Sequence, residues 1–131
     1  MATILVVDDN PTNLKLASDV LEFDGFTLLK AADAEEAQKV IARTLPDLIL
    51  MDIGLPGMDG LTLTRLLKAA PRTRHIPVVA LTAFAMKGDE EKALAAGCDG
   101  YIIKPIDTRQ FSSQVTGFLA GARAPGVKES S

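Results

Sequence analysis

Five polar residues stand where short apolar runs of the sequence end: Asp8, Asp9, Asp52, Thr82 and Lys104. If those run ends meet in one place, three carboxylates lie close together and repel one another unless they share a cation. Oxygen ligands favour a hard divalent ion, and Mg²⁺ typically takes one or two carboxylates together with phosphate oxygens. Histidine is absent from the five run ends, which disfavours zinc. The residue types therefore predict a site for Mg²⁺, with Mn²⁺ as a substitute, suited to phosphoryl chemistry.

Asp52 is the best candidate nucleophile of the group. A carboxylate is already ionised, so phosphoryl transfer to it needs in-line placement and charge neutralisation more than acid or base help. A metal ion and Lys104 would neutralise charge, and Thr82 would add a hydroxyl donor. Each residue alone has a plainer interpretation, since an acidic pair such as Asp8 and Asp9 is most often a helix-start signal. Their joint placement favours a site.

The elements that must position these residues alternate along the chain. Short aliphatic runs are each followed by a longer segment with helical spacing, which predicts an α/β fold with a parallel sheet. The carboxyl ends of parallel strands share one edge of the sheet, and ligands bind there. The predicted strands are 4–7, 26–30, 48–51, 78–81 and 101–103.

Capping residues and apolar stripes predict the helices. Asn10 before Pro11 begins the first helix, which ends near Asp24 with Gly25 as its cap. Two capping boxes are expected, Asp33 with Glu36 and Asp107 with Gln110. Two stripes are expected to face the core, the first made of Leu63, Leu66, Leu67 and Ala70, the second of Phe111, Val115, Phe118 and Leu119.

Length and composition limit the class of protein. At 131 residues, with 47% hydrophobic and 24% charged residues, one globular domain over 1–120 is expected, followed by a disordered tail over 121–131. A net charge of −3 disfavours nucleic acid as a partner. The sequence contains neither a long apolar span nor a basic leader pattern, so we expect a cytoplasmic protein without a membrane partner. Cys98 is expected to pack in the core, and His75 to lie in a solvated loop.

Four motifs carry a family resemblance: VVDDN, LILMDIGLPGMDG, VVALTAFAMKGDE and GYIIKPID. Over positions 3–119 the chain resembles the response-regulator receiver family of the CheY-like superfamily. The stretches TAFAMKGDEE and AGCDGYI are similar to single-domain, DivK-type cell-cycle response regulators. The resemblance implies a flavodoxin-like fold, a doubly wound five-stranded parallel sheet of order 2-1-3-4-5 with five helices. It also implies a single-domain response regulator of a two-component phosphorelay, which is not an enzyme beyond catalysing its own phosphorylation and dephosphorylation.

The resemblance also assigns roles at the site. It makes Asp52 the phosphoacceptor and Asp9 a direct Mg²⁺ ligand, with Asp8 holding a metal-bound water. Gly54 would ligate through its backbone carbonyl. Lys104 would contact the phosphoryl group, and the Lys104–Pro105 peptide would be cis.

The same resemblance implies a switch and its partners. Thr82 would move to bond the phosphoryl oxygen and let Tyr101 turn inward, remodelling the face formed by helix 4, strand 5 and helix 5. The phosphodonor would be a histidine kinase or a histidine phosphotransfer protein, and a downstream protein would bind the remodelled face.

Three other functions remain open at this point. A phosphatase that uses Asp52 as a transient nucleophile would need a second acid two positions on, where the chain has Gly54. A flavin mononucleotide binder shares the fold class, but Asp8 and Asp9 would repel its phosphate. The third is an interaction module in which phosphorylation is vestigial.

Overall fold

The computed structural model describes residues 2–53, 59–82, 87–104 and 106–120, and the backbone alone for 87–90. In these residues strands and helices alternate without exception. The strands are β1 (Thr3–Val7), β2 (Thr27–Ala31), β3 (Leu48–Asp52), β4 (Val78–Thr82) and β5 (Gly100–Ile103). The helices are α1 (Pro11–Phe23), α2 (Ala34–Arg43), α3 (Gly60–Ala69), α4 (Lys87–Ala95) and α5 (Phe111–Leu119). Gly54, Pro105 and the segment 121–131 lie outside the described residues.

The sheet has the order β2-β1-β3-β4-β5, and all its strand pairs are parallel. The predicted fold class and strand order are therefore confirmed, and each predicted strand agrees with the structure to within one residue at either end. Every residue of β3 and β4 is buried. Strands covered by helices on both faces read as continuous apolar runs, which explains why these strands lack alternation in the sequence.

Two hydrophobic cores lie on opposite faces of the sheet. One packs α2, α3 and α4 against the sheet through residues that include Ala37, Leu63 and Ala93. The other packs α1 and α5 through residues that include Leu21 and Phe111. Successive residues of a strand point to opposite faces, so Leu50 lies in the second core and Met51 in the first.

The predicted start of α1 is confirmed. The side chain of Asn10 accepts the backbone N–H groups of Thr12 (2.9 Å) and Asn13 (3.1 Å), and Pro11 takes the first helical position. Gly25 follows the helix with φ +96°, a conformation that glycine adopts without the steric cost other residues pay. The loop that carries the acidic pair therefore runs directly into a well-capped helix.

The predicted cap at Asp33 is confirmed, with the return bond from Glu36 shifted by one residue, and the other predicted capping box is wrong. Asp33 accepts the N–H of Glu36 (2.8 Å), while the Glu36 carboxylate accepts the N–H of Ala32 (2.6 Å). Helix α5 instead begins at Phe111, with no side-chain bond from its N-cap Gln110. The Asp107 carboxylate accepts the N–H of Arg109 (3.0 Å), which closes a turn at 108–110 instead of a helix.

The apolar stripe expected on α3 is only partly correct. Leu63 and Leu67 are buried, but Leu66 is 47% exposed and Ala70 only half-buried. The buried face consists of Gly60, Leu63, Thr64 and Leu67. Thr64 can occupy that face because its hydroxyl donates to the Gly60 carbonyl (2.8 Å), so no polar atom is left unpaired there.

Side-chain burial confirms the expectations for α5, Cys98 and His75. Phe111, Val115 and Phe118 are buried as predicted, with Leu119 packed at the edge of their core. Cys98 is buried and His75 is exposed in the turn before β4. Among the described residues, no helix has the length and apolar character needed to cross a membrane.

Candidate functional site

Asp8, Asp9 and Asp52 meet at the carboxyl edge of the sheet. Each offers a carboxylate oxygen, and these three atoms all lie within 4.8 Å of one another. Asp8 and Asp52 are buried, at 2% and 7% exposure, whereas Asp9 is exposed. The acidic cluster predicted from run ends is therefore brought together by the fold, with one carboxylate facing solvent.

Strand pairing and a helix start hold the two buried carboxylates. Asp8 extends β1 by donating its N–H to the Ala31 carbonyl (3.1 Å), and its Oδ1 accepts the N–H of Asn10 (2.9 Å). Asp52 is the last residue of β3 and stands opposite Leu81 of β4. Both side chains are therefore fixed by backbone that belongs to the centre of the sheet.

Lys104 bridges the two buried carboxylates. Its Nζ lies 3.2 Å from Oδ2 of Asp8 and 3.4 Å from Oδ1 of Asp52, and its side chain is 15% exposed. The Lys104 N–H donates to the Thr82 carbonyl (2.7 Å), which holds the residue against the end of β4. Three carboxylates and one ammonium leave two negative charges at the cluster. A divalent cation would neutralise that charge, and the oxygen-only ligand set suits Mg²⁺.

Strand alternation divides the predicted site residues between the two faces. Asp8, Asp52 and Lys104 follow Val6, Leu50 and Ile102 by two positions each, and those three residues belong to the α1 and α5 core. Thr82 follows Ala80 in the same way and falls on the face of α3 and α4.

Tyr101 lies on the same face as Thr82, half-buried against the core formed with α2, α3 and α4. It stands opposite Ala80 in the register of β4 and β5, so buried Thr82 is its diagonal neighbour.

Gly60 is a residue of the site that the sequence reasoning missed. A Cβ at this position would overlap the Asp52 carbonyl oxygen and crowd the Met51 side chain. Glycine therefore lets α3 begin directly against the end of β3. The signal was present as the pair Asp59-Gly60 before an apolar helix. Asp59 caps that helix by accepting the N–H of Thr62 (2.8 Å), a bond that lowers the pKa of the Asp59 carboxyl.

Two predicted features of the site cannot be placed. Gly54, expected to ligate the metal through its carbonyl, lies outside the described residues. So does Pro105, and with it the expected cis peptide after Lys104. Both stay predictions.

Comparisons with known proteins agree with this geometry. A family model described as a response regulator receiver domain matches residues 4–116. The polar-differentiation response regulator DivK of Brucella anthropi is 43% identical over 120 residues, which cover 92% of this chain and 98% of that protein.

Solved receiver domains share the fold. A receiver domain of a signal transduction histidine kinase from Syntrophus aciditrophicus matches with a TM-score of 0.85 and 34% identity, covering 98% of each chain. The receiver domain of a sensor histidine kinase from Pseudomonas aeruginosa matches with a TM-score of 0.84 and 34% identity, covering 92% of this chain and 98% of that one. That structure has a magnesium ion coordinated in its active-site cleft. The chain thus belongs to the response regulator receiver domain family.

Proposed function

We propose that this receiver domain accepts a phosphoryl group on Asp52 from a histidine kinase or a histidine phosphotransfer protein. The observation that carries the proposal is the position of Asp52, which shares a cluster with Asp8 and Asp9 and has the Lys104 ammonium 3.4 Å from its Oδ1. This arrangement meets the two needs of phosphoryl transfer to a carboxylate, a fixed ionised nucleophile and neutralised charge. A phosphatase or flavin-binding role has no comparable support.

In the reaction we propose, an oxygen of the Asp52 carboxylate attacks phosphorus in line. A bond forms between that oxygen and phosphorus while the bond from phosphorus to the donor imidazole nitrogen breaks, and the nitrogen keeps the electron pair. Lys104 would shift its ammonium from the two carboxylates to the phosphoryl oxygens. Attack by water on phosphorus would break its bond to the Asp52 oxygen, release inorganic phosphate and restore the carboxylate. In this proposal the domain catalyses only its own phosphorylation and dephosphorylation.

The metal would be held by this chain's own oxygens. Asp9 and Asp52 would ligate it directly, Asp8 through a bound water, and Gly54 through its carbonyl. When bound, Mg²⁺ would offset the charge that accumulates between the carboxylates and the incoming phosphoryl oxygens. Support for this assignment comes from the donor chemistry of the cluster and from the magnesium ion in the Pseudomonas aeruginosa receiver domain.

Signalling would follow from Thr82 and Tyr101. Thr82 would bond a phosphoryl oxygen, and Tyr101, its diagonal neighbour, would turn inward and change the face formed by α4, β5 and α5. That face exposes apolar side chains, with Leu94 at 40% and Ile103 at 41%, as a protein-binding surface does. A downstream protein is therefore the expected partner there, while the cytoplasmic location and the lack of nucleic-acid binding remain predictions from the sequence.

Mass spectrometry after incubation with acetyl phosphate and Mg²⁺ tests the proposal. We expect one adduct of about 80 Da on Asp52, since a single phosphoryl group is added. Asp52→Asn and native protein in EDTA should show no adduct, whereas Asp19→Asn, an exposed carboxylate on α1, should label as the native chain does. Full labelling in EDTA, or an adduct elsewhere, would overturn the mechanism.

A further inference from the structure

The Lys68 ammonium has three hydrogen-bond acceptors at the edge of the sheet opposite the acidic cluster. Its Nζ donates to the carbonyls of Ile76 (2.7 Å) and Arg74 (3.3 Å) and to the Asp99 carboxylate (2.9 Å). Three acceptors match the three donors of an ammonium group. Lys68 and Asp99 are only 20% and 32% exposed, so solvent screens this pair less than a surface pair.

Asp99 extends the same contact into the sheet. Its Oδ2 also accepts the N–H of Val78 (2.8 Å), and its own N–H donates to the Val78 carbonyl (2.7 Å). Lys68 and Asp99, with the Ile76 carbonyl and the Val78 amide, form a group that we call the Lys68 clamp. The clamp joins the last turn of α3 to the beginnings of β4 and β5.

The end of α4 is held at the same place. Gly97 has φ +107°, and a Cβ there would lie 2.9 Å from Cγ of Lys68, so the turn after α4 packs directly on the lysine stem. The N–H of Cys98 closes that turn on the Ala93 carbonyl (3.0 Å), and both residues are buried. The thiol of Cys98 also contacts the hydroxyl of Thr64 on α3 (4.0 Å).

The opposite end of α3 contacts the site itself, because Gly60 lies against the Asp52 carbonyl. Helix α3 thus connects the end of the phosphoacceptor strand with the far end of α4 and the beginning of β5. Gly100, the first residue of β5, is fixed in addition by the ring of Phe118, which a side chain at position 100 would overlap. Tyr101 is the next residue along the strand.

We propose that the Lys68 clamp is the fixed pivot of the phosphorylation switch, an inference that rests on the proposed function. Helix α4 is about 13 Å long and begins five residues after Thr82, while the clamp lies at its other end, so a change at Thr82 would act on α4 from its beginning and the clamp from its end. With the far end fixed, the change turns the helix and moves the environment of Tyr101. With the far end free, α4 and β5 shift together, and Tyr101 keeps its surroundings. Lys68 is on this account a positioning residue that never touches the phosphoryl group.

Tyr101 supplies the readout, because the chain has one tyrosine and no tryptophan. Tyrosine emission therefore reports the surroundings of Tyr101 alone. The experiment measures the change in emission on adding acetyl phosphate and Mg²⁺, divided by the fraction of Asp52 phosphorylated in the same sample. The test variant is Lys68→Met, which keeps a long apolar stem and removes the ammonium. The matched control is Lys15→Met, which breaks the exposed Lys15 and Asp19 pair on α1.

We expect Lys68→Met to phosphorylate as the native chain does and to give less than half of its emission change per phosphorylated molecule. Lys15→Met should match the native chain in both measurements. A native emission change in Lys68→Met with a lowered melting temperature would reduce the clamp to a purely structural contact and overturn the inference. Loss of Asp52 labelling in Lys68→Met would overturn it too. Absence of labelling in the native chain would instead overturn the proposed function, and the inference with it.

Asp99→Asn keeps the test decisive if Lys68→Met does not fold. The amide oxygen can still accept the Val78 N–H, so the beginning of β5 keeps its backbone partner while the charge opposite Lys68 is lost. We expect the emission change per phosphorylated molecule to fall below the native value here as well, and an unchanged value would overturn the pivot.

Discussion

Neutralising Asp9 should stabilise the metal-free protein. Asp8 and Asp52 each have the Lys104 ammonium nearby, at 3.2 and 3.4 Å, whereas Asp9 is exposed. The fold holds the three carboxylates within 4.8 Å of one another, whereas in the unfolded chain Asp52 is far from the adjacent pair Asp8 and Asp9, so the repulsion between Asp52 and that pair burdens only the native state. Asp9→Asn removes part of that repulsion without removing a partner of Lys104.

The size of the effect follows from the distance. Two unit charges 4.8 Å apart repel by about 0.9 kcal/mol in water and by about 3.5 kcal/mol at an effective dielectric constant of about 20. Asp9 is exposed, so the lower value applies to its repulsion with Asp52, and Lys104 offsets part of that repulsion. We therefore expect a gain of at most about 0.9 kcal/mol in the free energy of unfolding. For a domain of this size that gain raises the melting temperature by at most about 3 °C.

Magnesium should stabilise the native chain more than Asp9→Asn. At ten times the dissociation constant, a ligand that binds only the native state adds about 1.4 kcal/mol to the free energy of unfolding. The native chain should gain this amount, and Asp9→Asn should gain less because a ligand is missing. Thermal melts of both proteins in EDTA and in excess Mg²⁺ measure the two effects together.

Asp19→Asn is the matched control, since Asp19 is an exposed carboxylate paired with Lys15 away from the cluster. It should melt close to the native chain in EDTA and respond equally to Mg²⁺. If Asp9→Asn melts at or below the native chain in EDTA and gains as much from Mg²⁺, the three carboxylates do not form a shared cation site.

Three further predictions concern the surroundings of the site. Gly60→Ala should lower the free energy of unfolding by more than about 2 kcal/mol, because the added methyl overlaps the Asp52 carbonyl. Urea denaturation measures this cost, and a value below about 1 kcal/mol would mean that α3 does not pack tightly against β3. Asp59→Ala should cost about 1 kcal/mol at neutral pH by removing the α3 cap. The hydrogen bond from Thr62 lowers the pKa of Asp59. The cost of Asp59→Ala should therefore be full above the ordinary Asp pKa and fade as the pH falls through the lowered pKa. A cost that stays constant down to about pH 3 would contradict this role of the Asp59 carboxylate. Burial raises the pKa of the Cys98 thiol to about 11. A disulfide reagent such as dithiobis-nitrobenzoate at about pH 8 should therefore label Cys98 only as fast as the protein opens. Rapid labelling of the native protein would contradict the burial of Cys98.

The sequence alone predicted the elements and the place of the site. Aliphatic runs and helical spacing depend on neighbours a few residues away, so β3, β4 and the start of α1 at Asn10 could be read locally. Because parallel strands end at one edge, the polar residues after those runs had to converge there. Asp8, Asp9, Asp52 and Lys104 could therefore be assigned to one edge of the sheet from the sequence alone.

Local patterns misled where two local structures compete. Asp107 and Gln110 have the spacing of a capping box, but the Asp107 carboxylate accepts the N–H of Arg109 and closes a turn. Helix α5 begins only at Phe111. Leu66 fits the apolar stripe of α3, but the packing of that helix places Thr64 on its inner face instead. Both errors have one cause, since spacing does not say which face or which turn the surrounding packing will favour.

Tertiary structure alone decided which distant groups become partners. Lys104 pairs with Asp8 across 96 positions of the chain, and Lys68 pairs with Asp99 across 31, yet neither pair leaves a periodic signal in the sequence. The close contact of Gly60 with the Asp52 carbonyl exists only because α3 packs against the end of β3. An ion pair or a close backbone contact depends on where two whole elements pack, and that position is set by the sheet order and the two cores rather than by the residues beside each partner.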